Sequence, residues 1–364
     1  RYLKFSKYNV TYCRNVTDVD DKILKKADTQ GVLPEAIAKE FYESFKNSMS
    51  GLNVLKPDIE PFATKTIGEM IAMVKKLIEN GFAYAADGDV YFEVGKYKRY
   101  GELSGQPIDD LMAGARVETD LKKRSPLDFA LWKKDEKHGY KSPWGLGRPG
   151  WHIECSAMSK KHLGETIDIH AGGADLQFPH HENERAQSEC ANGNEFVKYW
   201  LHNGFVTINK EKMSKSLGNF LTIDDVLKRY NSNAIRFFIL TNHYRMPVEF
   251  NDEALESANN GAKRLIASVK SFIGADFSGL EYDKEALEAF ITAMDDDLNT
   301  SKALAVLFSL VDRLKKAMAE SALDVKEAAK QDEPRKLAYT LIKLGEVLGF
   351  DFSLQDKPEL SDEE

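Results

Sequence analysis

Apolar residues recur along this chain with two different periods, and the changes between them mark out its parts. From Pro34, a residue tolerated in the first turn of a helix, Ile37, Phe41 and Phe45 follow at intervals of four and predict an amphipathic helix. A second helix is predicted from Thr66, where Glu69 completes a capping-box pattern. Ile67, Met70, Ile71, Val74, Leu77 and Ile78 form its apolar face, and Asn80-Gly81 its end. The period then shortens. Tyr84-Ala85-Ala86 and Asp89 to Val94, separated by Asp87-Gly88, predict a hairpin. Residues from about 95 to 150 carry Gly, Pro, Lys and Arg with little period, as in an irregular insertion with short strands.

Two further stretches read as strand and turn. Tyr8 to Cys13 is strand-like and runs into the polar Arg14 to Asp21, while Ile167 to His170 leads through Ala171-Gly172-Gly173 toward a helix from about Pro179 to Ala191. Strand, glycine turn and helix in that order belong to nucleotide-binding α/β units. Beyond residue 252 the pattern is helical: Leu304, Leu307, Phe308, Val311, Leu314 and Met318 form one stripe, and Leu337, Leu341, Leu344 and Leu348 another.

Composition narrows the class. At 364 residues with 42% hydrophobic positions, the chain exceeds what one core usually holds and has enough apolar surface to fold along most of its length. No apolar run approaches the roughly 20 residues of a bilayer span, so a soluble, cytoplasmic protein with no membrane association is expected. The net charge of −8 argues against sequence-blind adhesion to polyanions, although Lys122-Lys123-Arg124 offers a local basic cluster whose plainer reading is solubility. Three cysteines, Cys13, Cys155 and Cys190, neither paired nor in a Cys-x-x-Cys motif, fit a reducing compartment and exclude a disulfide framework.

Two constellations carry chemistry. His180 and Glu184, at i and i+4, project from one helical face and can share a metal ion; an exposed helical ion pair is the competing reading. Cys155, within Gly150 to Met158, adds a thiolate that zinc accepts beside an imidazole and a carboxylate; alone it would read as a small buried hydrophobe. A zincin hydrolase does not fit, because neither His180 nor His181 has a second histidine four residues away. The second constellation is Lys210 to Asn219, where two lysines flank small hydroxyl residues ahead of a glycine, the composition of a mobile loop that wraps a polyphosphate.

Lys212-Met213-Ser214-Lys215-Ser216 matches the second signature of class I aminoacyl-tRNA synthetases, and the surrounding sequence resembles the cysteinyl-tRNA synthetases. The resemblance runs through Asn15 to Lys22, Gly147 to Ser156, Asp168 to Gly173 and Phe178 to Glu184. It implies an α/β fold: a class I nucleotide-binding parallel sheet with an inserted connective subdomain, followed by an all-α helical bundle. Residues 1–250 would be the catalytic domain without its N-terminal part, with the connective insertion at about 85–150 and a stem at about 205–250. Residues 251–350 would be the bundle and 351–364 an acidic tail, with the anticodon domain cut short. The first signature and a fourth, cysteine ligand would lie upstream of Arg1.

By the same resemblance, Cys155, His180 and Glu184 hold one zinc ion, Thr17, Trp151, His170 and Asp175 line the amino-acid pocket, and Lys212 to Ser216 bind ATP with magnesium. Lys212 and Lys215 are the catalytic cations, and Cys13 and Cys190 are structural. The implied reaction is ATP-dependent activation of cysteine and its transfer to the terminal ribose of tRNA(Cys) by a monomer. Two other readings stay open: a relative that delivers activated cysteine to an amino sugar, and a tRNA-carrying module without activity.

Overall fold

The computed structural model describes residues 1–106, 122–208, 211–213, 221–320 and 325–353; at Glu211, Lys212, Val325 and Lys326 it describes the backbone. The chain divides into two compact units, one of Thr11–Ser44 and Pro57–His202, the other of Arg1–Val10, Phe45–Lys56 and Asn203–Glu364.

The first unit contains a five-stranded antiparallel sheet. Its strands are β1 (Ala83–Ala86), β2 (Asp89–Phe92), β3 (Phe129–Lys134), β4 (Tyr140–Ser142) and β5 (Gly145–Pro149), in the order β1-β2-β3-β5-β4. The hairpin read from the sequence joins β1 and β2 through Asp87 and Gly88, at φ 52° and 89°, the left-handed pair that a tight two-residue turn demands. Phe92, Leu131 and Trp132 of this sheet share a core with Met70, Val74 and Leu77 of the helix Ile67–Glu79. Ile153 and Ala157 of the helix Trp151–Leu163 and Ala186, Cys190 and Ala191 of the helix Glu182–Asn192 close it. The core thus fixes the two helices that carry the chemistry-bearing residues. Two strand-like bridges, Cys13 with Ile59 and Val16 with Phe62, are parallel, and β6 (Ile167–Gly173) pairs with β7 (Val197–Asn203) over a small cluster of Ile167, Phe196 and Val197.

Several local expectations need correction. Thr66 does precede a helix, but it forms no capping box: its hydroxyl donates to the Phe62 carbonyl at 2.9 Å, and Glu69 pairs with Lys161 instead. The helix Pro34–Gly51 forms, yet of its predicted stripe only Ile37 is buried, while Phe41 lies 4.0 Å below the Lys26 ammonium and remains exposed. Tyr8 to Cys13 contributes one bridge rather than a strand, because Tyr2–Phe5 is already helical and the chain turns at Lys7, whose φ is 68°. In the basic cluster, Lys122 pairs with Asp89 at 2.6 Å and Arg124 with Glu93 at 2.9 Å, which favours the solubility reading.

The second unit is mainly helical. Helices Ser232–Leu240, Asp252–Ser268, Lys284–Asp295, Thr300–Glu320 and Asp332–Val347 surround a core that includes Leu255, Phe290, Leu307, Val311 and Leu341. Asn231, Asn251 and Asp283 cap three of them, each side chain accepting from the backbone N–H three residues on. Beside them, β8 (Val206–Ile208) pairs parallel to β10 (Val248–Glu249) and antiparallel to β9 (Glu211–Lys212).

Candidate metal and substrate site

The helix Trp151–Leu163 begins where it does because of Gly150. A Cβ there would lie 2.0 Å from the Ala130 carbonyl, so only glycine lets the chain leave β5 against β3 and turn into the helix. One turn later Cys155 emerges half-buried. Opposite it, the helix Glu182–Asn192 is preceded by an irregular turn, Gln177–His181, in which the extended Phe178 breaks helical geometry. The two helices are joined through Ser156, whose hydroxyl contacts the Glu184 carbonyl at 3.3 Å and receives the Gln187 amide at 3.2 Å.

This arrangement brings together the thiol of Cys155, the imidazole of His180 and the carboxylate of Glu184, with ligand atoms all within 4.8 Å of one another. His180 and Glu184 are buried, so the exposed ion-pair reading fails. Glu184 Oε1 lies 2.8 Å from His180 Nε2 yet has no hydrogen-bond partner, while Oε2 sits 3.0 Å from His170 Nε2. Two groups this close without a directed hydrogen bond aim their lone pairs at shared space, and a buried carboxylate oxygen left so is costly unless a cation takes it. The donor set suits zinc.

The electrostatics agree. Glu184 stays below the usual carboxylate range although burial works to raise it, because His170 and His180 hold its charge. Burial pushes the Cys155 thiol well up, with Glu184 and Glu154 adding to the effect. His170 rises above its ordinary value: burial opposes its charge, but Glu184 outweighs that. Burial drives His152 and His181 down to about 3, so both are neutral at physiological pH.

Five of the eight histidines gather here: His152, His170, His180, His181 and His202. His180 Nδ1 lies 2.9 Å from His152 Nδ1, and His181 Nδ1 lies 2.8 Å from His202 Nε2. If Nε2 of His180 is the ligand atom, its Nδ1 carries the proton and donates to neutral His152, which fixes the ring. The adjacent His180 and His181 do point different ways, one toward His152 and the other toward His202. Trp200 packs against His170 and His181 with centroids 5.1 and 5.2 Å away. Gly172 allows this crowding, since a Cβ on it would stand 2.8 Å from the His181 ring.

Of the expected pocket residues, Trp151 covers His180 at 4.4 Å between centroids while remaining half exposed, and His170 binds Glu184. Thr17 is half-buried, and Asp175 is exposed in the turn after β6. Met213 donates its N–H to the Val206 carbonyl at 3.0 Å, and Lys212 ends β9. Ser214, Lys215 and Ser216 lie outside the described residues, as does the side chain of Lys212. Cys13 sits in its parallel bridge and Cys190 in the apolar core.

Sequence reasoning passed over His152, His202, Trp200, Glu154 and Glu182. His152 stands in the same short run as Cys155, and a buried-face reading of the helix Trp151–Leu163 would have flagged it; His202 and Trp200 lie on a strand with no local signature.

An α/β unit followed by a mainly helical one, in a chain whose sequence carries the Lys212 to Ser216 motif, is the organisation of a class I aminoacyl-tRNA synthetase. The family model for the class I (C) tRNA synthetase catalytic domain matches residues 1–260, and that of the DALR domain matches residues 289–353. Cysteine--tRNA ligase of Geobacter metallireducens is 50% identical over 363 residues, 96% of this chain and 74% of that protein. The enzyme of the same name from Halalkalibacterium halodurans is 47% identical over 375 residues, 100% of this chain and 79% of its own length. Mycobacterium tuberculosis methionyl-tRNA synthetase in complex with methionyl-adenylate shares the fold, with a TM-score of 0.66 at 15% identity over 95% of this chain and 84% of that one. The chain belongs to the cysteine--tRNA ligase family.

Proposed function

We propose that this chain is an ATP-dependent ligase that activates cysteine as its adenylate and transfers it to the 3′ terminal ribose of tRNA(Cys), with zinc selecting the substrate thiolate. The observation that carries the reading is the Cys155–His180–Glu184 cluster with its orphaned carboxylate oxygen. Cysteine and serine differ by one atom, and a pocket that senses size alone separates such near-isosteres by about 1–3 kcal/mol. Zinc, when bound, supplies a preference for a soft thiolate over a neutral hydroxyl and lowers the thiol pKa.

The residues then divide the work. Cys155, His180 and Glu184 hold the ion; His170 orients Glu184, and His152 orients His180. Thr17, Trp151, His170 and Asp175 line the cysteine pocket, and Trp151 covers His180 from the solvent side. Met213, Ser214 and Ser216 bind ATP with magnesium, beside Lys212 and Lys215. In-line attack of the substrate carboxylate on the α-phosphorus needs alignment and positive charge where negative charge builds, the part given to Lys212 and Lys215.

The catalytic part extends over residues 1–250, with the connective insertion at about 85–150 and the stem at about 205–250, followed by the bundle at 251–350 and the acidic tail at 351–364. A cytoplasmic monomer fits the reading; among the described residues no helix is long and apolar enough to cross a membrane. Lys215→Ala in the intact protein is expected to abolish cysteine-dependent pyrophosphate exchange. Unchanged exchange refutes that role, and failure to charge tRNA(Cys) with labelled cysteine refutes the whole reading.

A further inference from the structure

The helix that carries Glu184 is polar on its far side as well, and those polar groups share one destination. Glu182, Asn183 and Arg185 are all buried. Glu182 Oε2 accepts the Ser104 N–H at 2.9 Å, and Asn183 Oδ1 accepts the Tyr100 hydroxyl at 2.6 Å. Arg185 reaches Glu102 at 3.0 Å, while Glu189 takes both the Tyr97 hydroxyl and Arg99 Nη1, the latter at 3.1 Å. The irregular turn bearing His180 is held from the same segment, because Gln177 Nε2 donates to the Leu103 carbonyl at 2.9 Å. The Tyr100 ring also packs edge-on against Phe178 in that turn, with centroids 6.4 Å apart. One short stretch of chain, Tyr97 to Ser104, therefore gathers the polar groups behind both metal-ligand positions.

We infer that Tyr97–Ser104 is a strap whose residues Tyr100 and Glu102 act as positioning residues for the metal ligands, holding in place the turn and helix that carry His180 and Glu184. This rests on the proposed metal site. The physical reason is the break in the chain just before the ligand pair. Phe178 is extended, so the helical backbone that carries His180 and Glu184 is not continued on its N-terminal side and does not by itself fix how that pair is set against the rest of the unit. Side-chain bonds from a third segment to Gln177, Glu182, Asn183 and Arg185 bracket the junction on both sides and supply the missing constraint. A tetrahedral ion tolerates only a few tenths of an ångström in ligand position. Groups that orient metal ligands typically change affinity by about 10–100-fold when removed. Tyr100 and Glu102 touch neither ligand, so the lower end of that range applies.

The test measures zinc affinity by chelator competition and the cobalt(II) absorption spectrum in the unsubstituted protein, Tyr100→Phe and Glu102→Gln. Tyr100→Phe keeps the ring against Phe178 and deletes one hydroxyl. Glu102 is a half-exposed side chain, where substitution is expected to leave the fold intact, so it keeps the test decisive if Tyr100→Phe fails to fold. We expect zinc binding about tenfold weaker in each soluble variant, a shifted or weakened cobalt band, and a KM for cysteine that rises while that for ATP holds. Unsubstituted zinc affinity and an unsubstituted cobalt spectrum in the variants, even with lowered thermal stability, would overturn the inference and leave the metal site standing. If the unsubstituted protein binds no zinc that Cys155→Ala removes, the site itself fails and the strap has nothing to position.

Discussion

Two helices of this protein are buried by opposite means. In Thr300–Glu320 the buried positions are Ala303, Leu304, Leu307, Leu310, Val311 and Leu314, one apolar stripe on an otherwise solvated rod. In Glu182–Asn192 nine of eleven residues are buried, and Glu182, Asn183, Glu184, Arg185, Gln187 and Ser188 are polar or charged. The first helix is held by area removed from water, which is non-directional and forgiving of shape. The second must satisfy buried polar atoms one by one; among the described residues Glu182 Oε1, Glu184 Oε1, Gln187 Oε1, Ser188 Oγ and Asn192 Nδ2 have no hydrogen-bond partner, and of these Glu184 Oε1 lies beside Cys155 and His180 at the proposed metal position. Polar burial is thus informative where apolar burial is not.

The sharpest way to break this contrast is to delete packing from the apolar helix. Leu307→Ala leaves a cavity at a fully buried position and is expected to lower stability by about 2–5 kcal/mol, read as a fall in the urea midpoint, while zinc stoichiometry stays unchanged. Loss of zinc in this variant would show that the two regions are not energetically separable. The reciprocal change is Glu184→Gln, which keeps size and removes the charge that His170 and His180 meet. Zinc affinity should fall about a hundredfold, or about 2.7 kcal/mol, with far less change in the urea midpoint. A midpoint shift as large as that of Leu307→Ala would mean Glu184 is there for folding.

The same contrast explains what could be read from the sequence. The stripes at Leu304 to Leu314 and Leu337 to Leu348 were legible because a one-sided helix repeats its apolar residues at a fixed period. Asp87-Gly88 announced its hairpin through turn chemistry alone. The helix Trp151–Leu163 was not legible as a helix: its buried residues include Glu154 and Ser156, so the apolar pattern is broken where function needs polar atoms. Spacing was enough to pair His180 with Glu184, and composition to add Cys155. His170, His181 and His202 come together only through the pairing of β6 with β7 and the turn between helices, a tertiary result that no local period encodes. Thr66 and Glu69 show the converse failure, a correct sequence signature whose side chains found better partners in Phe62 and Lys161.

The smallest expected effect concerns a place where the apolar unit also uses a directed charge. Asp283 caps the helix Lys284–Asp295 by accepting from Ala286 N–H at 3.0 Å, and Arg313, from the striped helix, grips both its oxygens at 2.9 and 2.8 Å. Arg313 lowers the carboxyl below its ordinary value of 3.8, outweighing the opposing push of partial burial. A carboxylate with a depressed folded-state pKa stabilises the fold at every pH above its unfolded value, and that contribution disappears as pH falls through the folded one. Arg313→Met should therefore cost about 0.5–1 kcal/mol at pH 7, the ordinary worth of a partly exposed pair. The gap between variant and parent should stay constant down to about pH 5 and close on further acidification, as Asp283 becomes protonated in both. Urea midpoints measured from pH 7 to pH 3 check this: a gap that persists undiminished at the acid end would assign the contribution of Arg313 to packing of its aliphatic stem along the helix and not to the charge on Asp283.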